Sequence, residues 1–105
     1  MTFGGLVSSA RKEKHLTQRD LAALIIKEDG TPISAAYVND IEHGNRHPAS
    51  HHMIEQFARA LDVEPEVLYF LMDRIPPYDY KDRATRRQIM NAWRAFERVF
   101  QGGDR

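Results

Sequence analysis

The stretch Thr17 to Pro48, TQRDLAALIIKEDGTPISAAYVNDIEHGNRHP, decides the fold. Its centre, Ser34 to Gly44, carries both a start and a stop for a short helix. Ser34 is an N-cap residue, Ile33 precedes it where it can staple onto Val38, and Gly44 supplies the left-handed conformation that ends a helix. Between these caps only Val38 and Ile41 are clearly apolar. So narrow a stripe predicts a helix that packs by one edge and exposes most of its surface. Upstream, Thr17 caps another helix, with Asp20 three residues on as a shortened capping box and Leu21, Ala22, Leu24 and Ile25 as the core side. Lys27 to Pro32 is polar, ends in turn residues and reads as a loop.

Working outward, Phe3, Leu6, Val7 and Ala10 fall at i, i+3, i+4 and i+7 and predict a first helix, with Arg11 to Lys14 as its solvated end. Past the loop Asn45 to Ala49, Ser50 caps a fourth helix in which Ile54, Phe57, Ala58 and Leu61 repeat that spacing. Pro65 opens a fifth, where its missing N–H costs nothing, and Val67, Leu68, Leu71 and Met72 form the inner face. Residues 1–74 therefore predict an all-α domain of five short helices. The prolines of Ile75 to Tyr80 predict a stiff linker over 75–83. Residues 84–101 predict a C-terminal amphipathic helix, Ala84 to Phe100, with Ile89, Trp93, Phe96 and Phe100 in one arc and Met90 at its edge. Arg83, Arg87, Arg94 and Arg98 share a neighbouring face, and Gly102-Gly103 ends the helix.

The chain has 105 residues, room for one small domain with a short appendage. Its net charge is zero, but the distribution is uneven. Residues 1–24 carry four cations against two acids, 25–73 three against nine, and 74–105 eight against four. A nucleic-acid partner would thus be held by locally placed cations, with a modest salt dependence. Cysteine is absent, which excludes disulfides and thiolate metal sites. No apolar run approaches a membrane span and no secretory signal opens the chain, so the expectation is a cytoplasmic protein without a membrane partner. No nucleophile with a base, glycine-rich phosphate cradle or paired carboxylates support catalysis, and no cofactor is implied. His43, His47, His51 and His52 lie near Asp40 and Glu42, but Gly44 and Pro48 break the helix that would align them. They read as solvated or phosphate-facing side chains, so no metal site is predicted.

Three segments together resemble the Cro-like and lambda-repressor-like helix-turn-helix family of DNA-binding regulators. They are Arg11-x-x-x-x-Leu16-Thr17-Gln18-x-x-Leu21-Ala22, then Ser34-x-x-x-Val38-x-x-Ile41-Glu42-x-Gly44-x-x-x-Pro48, then Ile54-x-x-Phe57-Ala58-x-x-Leu61. The resemblance implies a five-helix domain whose third helix enters the major groove of double-stranded DNA. It places Gln18 on a phosphate, Ser34, Ala35, Ala36, Tyr37 and Asn39 in or beside the groove, and Asn45, Arg46 and His47 on the backbone. Alanines meet only thymine methyls while Asn39 can pair with adenine, so direct readout would be sparse and A·T-leaning. Arg11 and Glu42 resemble an internal pair joining the first helix to the third.

One feature departs from the family. The turn between helices two and three is longer by about six residues, Ile26 to Thr31. Either helix two is extended or the turn opens into a small loop, and Lys27 becomes available to a phosphate. The final helix also has two readings: packing of Trp93 on its own domain, or a homodimer through Ile89, Trp93, Phe96 and Phe100, which suits the two-fold symmetry of palindromic operators. The expected function is a dimeric, sequence-specific repressor. The alternative is an antitoxin-like or adaptor module that captures a protein partner with the Trp93 helix, DNA binding being secondary.

Overall fold

The computed structural model describes residues 1–48, 50–73 and 84–101. They form α1 (Phe3–Glu13), α2 (Gln18–Leu24), α3 (Ala35–Glu42), α4 (His51–Leu61), α5 (Pro65–Leu71) and α6 (Arg86–Phe100). The expected linker 75–83, the domain limit at Arg74, Arg83 and the chain from Gly102 onward lie outside the described residues. Five of the six starts are side-chain caps: Thr2, Thr17, Ser34, Ser50 and Thr85 each accept the amide three residues on. Thr17 with Asp20, and Thr85 with Gln88, close full capping boxes. At α5 the start is made by Pro65, which has no N–H to satisfy. Gly44, at φ +77°, takes the left-handed position just past α3.

Residues from all of the first five helices meet in one core. Val7, Leu21, Val38, Ile41, Ile54, Phe57 and Leu68 are wholly excluded from solvent. Phe3 meets Phe57 edge to face, with centroids 6.5 Å apart. Two parts of the expected apolar pattern are corrected. Leu24 is 51% exposed, because α2 stops there and the extended backbone of Ile25 turns the next side chain inward instead. Tyr69 joins Leu68 in the core, its hydroxyl 3.0 Å from His51 Nδ1, while Val67, Leu71 and Met72 are only half-buried. A buried phenol is tolerated where its hydroxyl finds a partner.

The lengthened turn does not extend α2. Ile26 and Pro32 face each other across an antiparallel bridge, flanked by bonds from Ile33 N to Ile25 O (3.0 Å) and Lys27 N to Thr31 O (2.8 Å). Gly30, at φ +87°, allows the tip, and Asp29 accepts from both the amide and the hydroxyl of Thr31. This miniature hairpin is clamped to α4. Ile26 N donates to Gln56 Oε1, His52 Nε2 donates to Ile26 O at 2.7 Å, and the Ser50 hydroxyl donates to Glu28 at 2.6 Å. The outward polar groups of one hairpin arm thus find side-chain partners one helical turn apart on α4.

At the other end of α3 the backbone of α1 comes unusually close. A Cβ built on Gly4 would lie 2.4 Å from Ile41 O and 2.7 Å from Glu42 O. Both obstacles are backbone, so neither can swing aside. Gly4→Ala is expected to lower the unfolding free energy by roughly 1–3 kcal/mol, measured by urea denaturation. Gly5→Ala, which meets only the Thr2 hydroxyl, should change it less; equal stability of wild type and Gly4→Ala would contradict the close approach.

Candidate DNA-facing surface

The site grows from the join between α1 and α3. Arg11, at the end of α1, directs a two-pronged guanidinium at Glu42: Nε to Oε2 at 2.6 Å and Nη2 to Oε1 at 3.1 Å. Its Nη1 donates to Leu16 O at 2.8 Å, tying in the turn that leads to α2. The side chains are 11% and 6% exposed, so this is a nearly buried pair and not a solvated helix end. Gln18, the first residue of α2, donates from Nε2 to Glu42 Oε1 at 3.1 Å and to Asn39 Oδ1 at 3.2 Å.

With its Val38 and Ile41 edge buried, α3 offers its other side to solvent. Ser34, Ala36 and Asn39 are exposed, while Ala35 and Tyr37 are half-buried. The Arg46 guanidinium lies 4.8 Å from the Tyr37 ring centroid, a cation–π contact that joins the loop after α3 to its first turn. Asn45 and Arg46 are exposed, and Asn45 N donates to Asp40 O. His47 is exposed overall, yet its ring meets the edge of Phe3 at 5.9 Å. His43 Nδ1 donates to Asn39 O at 2.8 Å. Among the described residues, no group of three or more His, Cys, Asp or Glu side chains is arranged to hold a metal ion.

The residues of α6 lie elsewhere. Ile89 is 54% exposed, Trp93 58%, Phe96 42% and Phe100 64%. Phe100 stacks on Phe70 of α5 at 5.3 Å, Phe96 lies 5.7 Å from the same ring, and Trp93 stacks on Phe96. The aromatic face therefore touches its own domain through Phe70 and still leaves about half of each ring in solvent. Among the described residues no helix is long and apolar enough to cross a membrane.

Sequence reasoning placed Gln18 and Asn39 on one surface but did not show that one amide links them to the ion pair. It also missed Gln56 and His52 as the clamp on the hairpin. Their spacing on α4 was visible, but its meaning depends on a segment some thirty residues away.

Burial acts most strongly on the Glu42 carboxyl and raises its pKa, but the bonds from Arg11 and Gln18 and the charges of Arg11 and Lys12 outweigh it. The net position is below the usual carboxylate range. A carboxyl depressed in this way contributes stability above its unfolded pKa, about 4.3, and loses it as the pH falls through the folded value. Asp20, Glu28 and Asp29 are lowered too, by hydrogen bonds from Thr17, Ser50 and Thr31. The Glu42→Gln variant should be less stable at neutral pH by roughly 3–5 kcal/mol. It should also lose less stability than wild type on acidification, and parallel pH profiles would contradict the assignment.

A family model described as helix-turn-helix matches residues 7–68, more than half of the chain. No curated protein and no solved structure matches it.

Proposed function

The chain belongs to the Cro-like and lambda-repressor-like helix-turn-helix family, and from that premise we propose that it acts in the cytoplasm as a dimeric repressor of a palindromic operator. DNA-binding transcription regulation is the activity of this domain type. The observation that carries the reading is α3 itself: one edge buried, both ends fixed, and Ser34, Ala36 and Asn39 presented beside Tyr37 and Arg46. In this reading Ser34, Ala35, Ala36, Tyr37 and Asn39 enter or border the major groove, and Asn45, Arg46 and His47 hold the backbone. Lys27, exposed on the hairpin, is a further cation for a phosphate. With alanines leading the helix, discrimination falls to Asn39, Tyr37 and the shape of the duplex.

Dimerisation is assigned to α6. Seven large apolar side chains, Phe70, Ile89, Met90, Trp93, Phe96, Val99 and Phe100, are each 42–64% exposed. A patch of this kind on a small protein marks an interaction surface. A second copy related by a two-fold axis covers it with the same residues and sets two α3 helices facing one duplex. The same patch supports the second reading, in which a different protein is captured there and DNA binding is secondary.

Two measurements test these readings. Sedimentation of the intact chain should give about twice the mass of a Trp93→Glu/Phe96→Glu variant; equal masses contradict the α6 dimer. On a duplex recovered from a random-sequence pool, Arg46→Ala should weaken binding on all sequences alike and lower the salt slope by about 1. Absence of salt-sensitive binding by the wild type contradicts the regulator reading.

A further inference from the structure

A single amide nitrogen connects the ion pair to the exposed edge of α3. Gln18 Nε2 lies within hydrogen-bond distance of Glu42 Oε1 and of Asn39 Oδ1. A primary amide carries two N–H donors, and here both acceptors belong to α3, one nearly buried and one exposed. The orientation of both amides follows from the carboxylate. An ionised Glu42 only accepts, so the end of Gln18 that faces it is the NH2; the atom of Asn39 that faces the same NH2 is therefore the carbonyl oxygen. Polarity passes in this way, through the one amide of Gln18, from a nearly buried charge to an exposed side chain.

Resting on the DNA-binding reading above, we propose that Gln18 is a positioning residue that sets the polarity with which Asn39 meets a base edge. Phosphate oxygens only accept. Gln18 reaches one only by withdrawing an N–H from Asn39, which releases that amide from its set orientation, or from Glu42, which leaves a 6%-exposed carboxylate one bond short. Asn39, with Oδ1 turned toward Gln18, presents its NH2. It therefore favours an acceptor on the major-groove edge: purine N7, guanine O6 or thymine O4. The bidentate adenine contact expected from the sequence needs both ends of the amide at the base, and only the donor end is offered.

The test uses the full chain, the tightest duplex recovered from a random-sequence pool, and that duplex changed at each base pair in turn. Gln18→Met, which keeps the length and removes the donors, is compared with Asn39→Ala and with the double variant, after thermal unfolding confirms that each is folded. Both single variants should lose discrimination, by about tenfold, at the same base pair, and the double variant should be no worse than Asn39→Ala within about twofold. Losses that add, or a Gln18→Met loss spread evenly over all sequences, overturn the proposal and leave DNA binding standing. A pool that returns no preferred sequence overturns both. Independently of DNA, the side-chain amide protons of Gln18 should exchange with water at least about tenfold more slowly than those of Asn39; the reverse order overturns the proposal.

Discussion

The bond between Arg11 and Glu42 is the join on which the rest of the arrangement depends. One guanidinium holds the last turn of α3 through a carboxylate and the turn before α2 through Leu16 O. Withdrawing two charges from water is costly, and their attraction offsets that cost only where the geometry is good and the remaining donors are satisfied. Both conditions hold here, and no buried side-chain polar atom among the described residues lacks a partner. The pair is better understood as fixing register than as adding stability. It sets where α3 lies against α1, and Gly4, with no Cβ to strike the carbonyls of Ile41 and Glu42, lets the two backbones close on that register.

The opposite end of α3 is fixed by different means. The hairpin at Ile26 to Pro32 leads within two residues to Ser34, and its inner arm is bonded to Ser50, His52 and Gln56 around the first turns of α4. A long connection ordinarily adds freedom between the elements it joins. Here the added residues are tied to a third helix, so the start of α3 stays defined despite the longer path. The exposed face between these two anchorages contains Asn39, Tyr37 and, through its ring contact, Arg46.

The parts of this structure legible in the sequence are those governed by local chemistry. Thr17, Ser34 and Ser50 announce helix starts because a cap acts within three residues, and Gly44 announces a stop because few other residues accept its φ. The core pattern of α1 and α4 follows from periodicity alone. Features that depend on distant partners were not legible. Leu24 continues the apolar pattern of α2 yet faces solvent, because the helix ends one residue before the pattern does. Tyr69 looks amphipathic until His51 meets its hydroxyl, and IKEDGT looks like plain loop until α4 supplies donors and acceptors. For the site, the family resemblance names the surface, but the direction of each amide emerges only from the carboxylate of Glu42.

The molecule thus presents two surfaces of unlike chemistry: a polar face on α3 with its adjoining loop, and an aromatic face on α6 with Phe70. The central claim is that the first of these meets DNA. Its most direct test is an NMR titration of the 15N-labelled chain with a duplex, following every backbone amide. The account predicts that the largest shifts cluster at residues 34–47, with those of α6 essentially unmoved at constant association state. Shifts concentrated on α5 and α6, with residues 34–47 unaffected, would contradict it.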